Sequence, residues 1–158
     1  SFSKIFSMSG WRLGYVIGPV KLIEKMGLLL QTIISCLPGF TQMAAISVLK
    51  NDTEYVEMIL KEYTKRKNTL LEGLNDVRGI KCVQPKGAFY MFPKLTYSKF
   101  STYEYSEKIL NEEGICMLPG EYFGKNGKGF LRLSFSQTSI DTIELAIEKM
   151  KKFNNKYL

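Results

Sequence analysis

Two hydrophobic periods follow one another along this chain, and the places where they change mark out its elements. Residues 1–10 are rich in Ser and Gly around a single Lys and read as a loop. Leu13-Gly14-Tyr15-Val16-Ile17-Gly18 is a short apolar run closed by Gly18-Pro19, which predicts a buried strand. From Val20 to about Ile34, residues Leu22, Ile23, Met26, Leu29, Leu30 and Ile33 recur at helical spacing and make a broad apolar face. Leu37-Pro38-Gly39 interrupts the pattern, and a short apolar helix follows over roughly Thr41 to Leu49. Asp52 or Thr53 is placed to cap a long third helix reaching about Val77, with Tyr55, Ile59, Leu60, Tyr63, Leu70, Leu71 and Leu74 on helical spacing.

Beyond Val77 the character changes. Ile80 to Val83 and Ala88 to Phe92 read as strands joined through Pro85-Lys86-Gly87. Ser101-Thr102-Tyr103-Glu104 is a capping box that opens a helix stopping at Gly114. Ile115 to Leu118 reads as a strand, Pro119-Gly120 to Gly129 as a turn-rich loop, and Phe130 to Ser136 as a strand of alternating character. A closing helix starts near Thr138 or Ser139, with Ile140, Ile143, Ile147, Met150 and Phe153 on one face. The order describes an α/β chain whose C-terminal part can fold around its own sheet, and no internal repeat is visible.

Composition narrows the chemistry. The 158 residues carry 22 Lys+Arg against 15 Asp+Glu, a formal net charge of 22 − 15 = +7, and 45% are hydrophobic. That excludes a disordered or collagenous chain and allows one or two small domains with cores. Histidine is absent, which removes His-based zinc sites, Ser-His triads and Cys-His dyads. The cysteines, Cys36, Cys82 and Cys116, show neither a disulfide framework nor metal spacing and read as small hydrophobes in apolar surroundings. Eighteen of the basic residues are scattered Lys and four are Arg, a solvated surface rather than a nucleic-acid stripe. Met26 to Leu49 contains no charge, but Pro38-Gly39 breaks it and Gln31, Thr32, Ser35, Thr41, Gln42 and Ser47 dilute it. It reads as two buried helices around a break, not a membrane span, and cytoplasmic placement is the default.

One Lys deserves a chemical reading. Lys4 lies among hydroxyls and apolar residues, with Arg12 eight positions on, just before the predicted strand. An amine in a pocket of that kind can attack carbonyls, while small hydroxyl residues and an Arg fork suit a dianionic phosphate. On residues alone, a plain surface loop is as good an account. In the strand around Arg132, Leu131, Leu133 and Phe135 face one way and Phe130, Arg132, Ser134 and Ser136 the other. The leucine face packs on a core and turns the Arg fork toward a cleft. A chain that prefers Lys keeps Arg at positions 12 and 132, where bidentate anion binding would use it. The alternative for Arg132 is a surface ion pair on an edge strand.

The Ser1–Gly14 stretch resembles the pyridoxal-phosphate attachment signature of the class I/II aminotransferases: small, any, small, Lys, then Arg eight residues on, then aliphatic and Gly. The continuation Met8-Ser9-Gly10-Trp11-Arg12-Leu13-Gly14-Tyr15 is similar to the common form of that family. Pro85-Lys86-Gly87-Ala88-Phe89-Tyr90-Met91-Phe92-Pro93 resembles its Pro-x-Gly-Ala-Phe-Tyr strand. Leu118-Pro119-Gly120 with Phe123-Gly124 resembles its Pro-Gly…Phe-Gly loop, and Gly129 to Ser136 resembles the strand whose Arg holds the substrate α-carboxylate. The four segments occur in the family's order and span essentially the whole chain.

The resemblance implies an α/β fold of fold type I, seen as a C-terminal fragment: the end of the large-domain sheet, connecting helices, and an α+β small domain. Residues 1–50 would be the tail of the large cofactor domain and 51–158 the small domain. It implies pyridoxal 5′-phosphate as cofactor, a Schiff base on Lys4, phosphate contacts from Ser1, Ser3 and Arg12, and the substrate carboxylate on Arg132. The implied reaction is amino transfer between an α-amino acid and a 2-oxo acid in a homodimer, without nucleic acid or membrane. The upstream half that supplies the rest of the cofactor site is not in this chain, which by itself is expected not to transaminate. A β-lyase or aminocyclopropane-carboxylate-synthase-like enzyme shares the same residues, and an effector domain of an aminotransferase-like transcriptional regulator is an alternative of another class. Trp11 and Tyr15 read as packing residues, Tyr90 as core or cleft wall, Arg66 and Arg78 as surface. Gly87 and Gly120 read as turn glycines needing unusual backbone angles.

Overall fold

In the computed structural model, which describes residues 1–51 and 53–158, the chain divides into two compact units, Ser1–Leu60 and Lys61–Leu158. The predicted cap at Asp52 lies outside the described residues.

The first unit contains a helical turn α1 (Phe2–Ile5), a 3-10 turn at Ser9–Trp11, α2 (Val20–Ile34), α3 (Gly39–Asn51) and the first residues of α4 (Thr53–Asn75). Residues read as a loop thus hold local helix: Ser1 Oγ accepts the Ser3 amide at 3.2 Å and caps α1. Phe2, Met8 and Leu13 are buried together against Phe6 and against Ala44, Ala45 and Val48 of α3. Three apolar side chains spaced along the opening segment therefore lay it on one helix. Pro38 ends the preceding pattern, and Thr41 Oγ1 donates to its carbonyl at 2.7 Å, so α3 starts two residues before the predicted position.

Two expectations fail in this unit. Leu13 to Gly18 forms no strand; only Leu13 is buried, and Ile17 is 87% exposed. A strand needs a hydrogen-bonded neighbour, and every strand among the described residues belongs to Lys61–Leu158. The helices around Pro38 are present but not buried: α2 buries no residue and α3 only Thr41. Among the described residues no helix is long and apolar enough to cross a membrane.

The second unit adds β1 (Ile80–Lys81), β2 (Tyr90–Met91), β3 (Lys94–Leu95), α5 (Thr102–Glu113), β4 (Leu118–Pro119), β5 (Leu131–Ser134) and α6 (Ile140–Tyr157) to the rest of α4. All pairings are antiparallel: β5 lies between β2 and β4, and β1 pairs with β3. Tyr90 stands opposite Ser134, Met91 opposite Leu133, and Leu118 opposite Arg132. The strands are shorter than the predicted runs, and β3 was not anticipated.

The core of this unit joins Leu70 and Leu74 of α4, Met91 of β2, Tyr105 and Ile109 of α5, Leu131 and Phe135, and Ile143, Ile147, Met150 and Phe153 of α6. Helical spacing supplies one face each from α4, α5 and α6, and strand parity supplies the sheet's side. The capping box forms as predicted: Ser101 Oγ accepts the Glu104 amide, and Glu104 accepts the Ser101 amide at 2.8 Å. Gly114 ends α5 in the left-handed region at φ 72°. At the last residue of α4, Asn75 takes the part of a strand partner, accepting the Cys82 amide at 2.9 Å and donating to its carbonyl at 3.0 Å. Cys82 is buried, but Cys36 and Cys116 are exposed, against the reading of all three as enclosed hydrophobes.

Candidate functional site

The Lys4 cluster is held by the small core of the first unit. Phe2 and Leu13, both buried, fix the two ends of the segment, and the Phe2 amide donates to the Leu13 carbonyl at 3.2 Å. Ser1, Ser3 and Lys4 share the turn of α1, with Ser1 Oγ 3.1 Å from Ser3 Oγ. A Cβ built on Gly14 would stand 3.7 Å from Ser1 Cα, so the chain leaving Arg12 runs against the first residue. Arg12 sits in the left-handed region at φ 53° with Nη1 donating to the Ser9 carbonyl at 2.8 Å. A non-glycine residue at that φ carries a conformational cost, which the tight Ser9–Arg12 turn offsets. Lys4 is exposed, and Tyr55 of α4 braces the far side by donating to Ser7 Oγ at 2.7 Å. By type, the two hydroxyls, the guanidinium and the primary amine of this segment fit the phosphate and aldehyde of pyridoxal phosphate. Trp11 and Tyr15 are exposed, and Tyr15 packs edge-on to Phe2 at 5.6 Å between centroids.

The second candidate, Arg132, belongs to the other unit. Leu131 and Phe135 are buried, while Arg132 is half-buried on the opposite face, as the alternation predicted. Its guanidinium carbon lies 4.5 Å from the Tyr90 ring centroid and 4.0 Å from that of Phe123. Both rings attract the guanidinium by cation–π interaction and use none of its N–H donors. Among the described residues no carboxylate lies within ion-pair distance of it, so the expected alternative of a surface ion pair is absent. Tyr90, read as core or cleft wall, is one of the two rings against the fork.

Sequence reasoning left two residues out. Phe123, in the sequence only one position of the Pro-Gly…Phe-Gly segment, is the second ring against Arg132, carried by the 3-10 turn Gly120–Phe123. Arg66, read as surface, is 18% exposed; its Nε donates to Glu62 at 2.9 Å and its Nη1 to the Ser136 carbonyl at 2.9 Å. The rarity of Arg in this Lys-rich chain marks Arg66 as much as Arg12 and Arg132.

The profile of the family described as "Aminotransferase class I and II" matches residues 1–150. The chain belongs to the class I and II aminotransferases. The aspartate aminotransferase of Pyrococcus horikoshii is 36% identical over 154 residues, covering 96% of this chain and 39% of that protein. The aromatic-amino-acid aminotransferase 2 of Thermococcus litoralis is 37% identical over 153 residues, with 96% and 39% covered. The crystal structure of the aromatic aminotransferase from Pyrococcus horikoshii superposes with a TM-score of 0.92 at 37% identity, covering 98% of this chain and 42% of that one. The mixed helix-and-sheet fold is thus that of fold-type-I aminotransferases. The chain spans about two fifths of the length of these relatives.

Proposed function

We propose that this chain is the C-terminal part of a pyridoxal-phosphate-dependent aminotransferase acting on an α-amino acid and a 2-oxo acid. Residues 1–50 are then the tail of the cofactor domain with its connecting helices, and 51–158 the smaller domain; the compact units themselves divide within α4, between Leu60 and Lys61. The exposed apolar positions of α2, among them Leu22, Leu29 and Ile33, support a larger assembly that covers them, an upstream cofactor domain and a second subunit.

The observation that carries the reading is the Arg132 fork, against the rings of Tyr90 and Phe123 and without an acidic partner among the described residues. Arg132 binds the α-carboxylate of the amino acid through two parallel hydrogen bonds and so fixes which way Cα faces. Ser1, Ser3 and Arg12 hold the cofactor phosphate, and Lys4 Nζ holds the cofactor until substrate replaces it. The freed Lys4 amine takes the proton from Cα as general base and returns it as general acid. Pyridoxal phosphate, when bound, supplies the electron sink that makes that proton acidic.

The test uses the complete enzyme and its visible spectrum with pyridoxal phosphate, before and after a panel of amino donors. Conversion of the cofactor band to the pyridoxamine form is the expected result. Ammonia or thiol release with the band unchanged would assign a lyase, and no cofactor band in the wild type would overturn the role of Lys4. The 158-residue chain alone, given cofactor and donor, is expected to show no turnover.

A further inference from the structure

We propose that Arg66 is a positioning residue for the Arg132 fork, an inference that rests on the reading of Arg132 as the carboxylate-binding group. Arg132 is on β5, and the chain leaves that strand through Phe135 and Ser136. That exit is tied to α4 in two ways. Arg66 Nη1 donates to the Ser136 carbonyl at 2.9 Å, and the Tyr63 ring meets the Phe135 ring edge-on at 6.3 Å. Tyr63 also meets Phe89 edge-on at 6.1 Å, and the Phe89 carbonyl accepts the Phe135 amide at 3.1 Å. One turn of α4 therefore grips both β5, which carries Arg132, and the start of β2, which carries Tyr90.

An exposed i,i+4 ion pair contributes little. The Arg66–Glu62 pair differs because Glu62 aims the guanidinium: with Nε on Glu62, Nη1 points at Ser136. Around the same exit Ser134 Oγ lies 3.0 Å from Ser136 Oγ and accepts the Ser136 amide at 3.3 Å. Those bonds are local and move with the strand. Arg66 is the charged side chain that anchors it to another element, 70 residues away in sequence. With the strand end loosened, Arg132 slides relative to Tyr90 and Phe123, and the fork loses its bidentate aim.

The experiment uses the complete enzyme loaded with pyridoxal phosphate and single-turnover reaction with L-alanine and with ethylamine, which differ by the carboxylate. Arg66→Gln is expected to weaken apparent L-alanine affinity about tenfold, part of the roughly 100-fold that a 1 Å misplacement costs. Ethylamine, which does not use Arg132, should react as with wild type, and Arg66→Lys should restore part of the loss. Equal slowing of both substrates, or no change in either, would overturn the proposal. Arg132→Lys in the same assay separates the two layers: if it leaves L-alanine binding unchanged, the carboxylate reading fails and this inference falls with it. If Arg66→Gln does not fold, Arg66→Lys decides with the same pair of substrates, a loss confined to L-alanine supporting the proposal.

Discussion

A methyl group on Gly120 would enter a backbone crossing that leaves no room for it. A Cβ there would stand 2.2 Å from the Gly127 carbonyl oxygen and 2.9 Å from both Cβ and the carbonyl oxygen of Phe130. Backbone atoms supply the closest of these contacts, so no rotamer change relieves them. The reciprocal Cβ on Gly127 would lie 1.9 Å from the Gly120 carbonyl oxygen. Relief requires the Gly120–Phe123 turn to back away from β5, which strains the 2.8 Å bond from the Gly120 amide to the Phe130 carbonyl. Overpacking of this kind costs about 1–3 kcal/mol and a weakened backbone hydrogen bond about 1 kcal/mol more. Gly120→Ala is therefore expected to destabilise by about 3 kcal/mol, which at a slope of about 2 kcal/mol per molar urea lowers the midpoint by about 1.5 M. Gly87→Ala is the control: nothing lies within 4 Å of its Cβ position and its φ is not positive, so its midpoint should hold or rise slightly. Urea unfolding of the two variants beside wild type is the assay. Equal midpoints for both would refute the close crossing.

Two further outcomes follow from buried and paired groups. Hydrogen bonds from Lys108, and then from Tyr157 and Lys156, hold the Glu112 carboxyl at about 2. Since the folded value is depressed, the stabilisation is present in full above the ordinary glutamate value of about 4.3 and is lost as pH falls through about 2. The Tm difference between wild type and Glu112→Gln should be constant above that range and shrink on acidification; a difference that grows toward low pH would contradict it. Tyr105 donates to Asn154 Oδ1 at 2.6 Å in the core, and Asn154 donates to the Arg78 carbonyl at 2.6 Å. Tyr105→Phe leaves the buried Asn154 oxygen without its donor, a loss of about 2 kcal/mol or about 6 °C in Tm, and an unchanged Tm would show that the hydroxyl contributes nothing.

The contrast between Arg132 and Arg66 shows how far residue order alone reaches. The face of Arg132 was legible because strand parity is local: two residues on either side place its side chain opposite Leu131 and Leu133. Arg66 gave no such signal, because its partner Ser136 is set by the packing of α4 on the strand exit. Gly120 misled for a related reason. Its neighbours in sequence point to a turn angle, whereas the constraint comes from the Gly127 carbonyl across the loop. At the other turn, Ala88, not Gly87, adopts the positive φ.

Local chemistry alone therefore determined the helices from Val20 onward, the Ser101–Glu104 box, the face of β5 and the motif around Lys4, since each depends on residues a few positions apart. The strand predicted at Leu13–Gly18 needed a neighbour that apolar composition cannot specify, and it is absent. Tertiary structure decided which apolar faces are covered, what encloses the Arg132 fork, and which helix anchors its strand. Those outcomes depend on contacts between residues tens of positions apart, whose geometry exists only once the elements have packed.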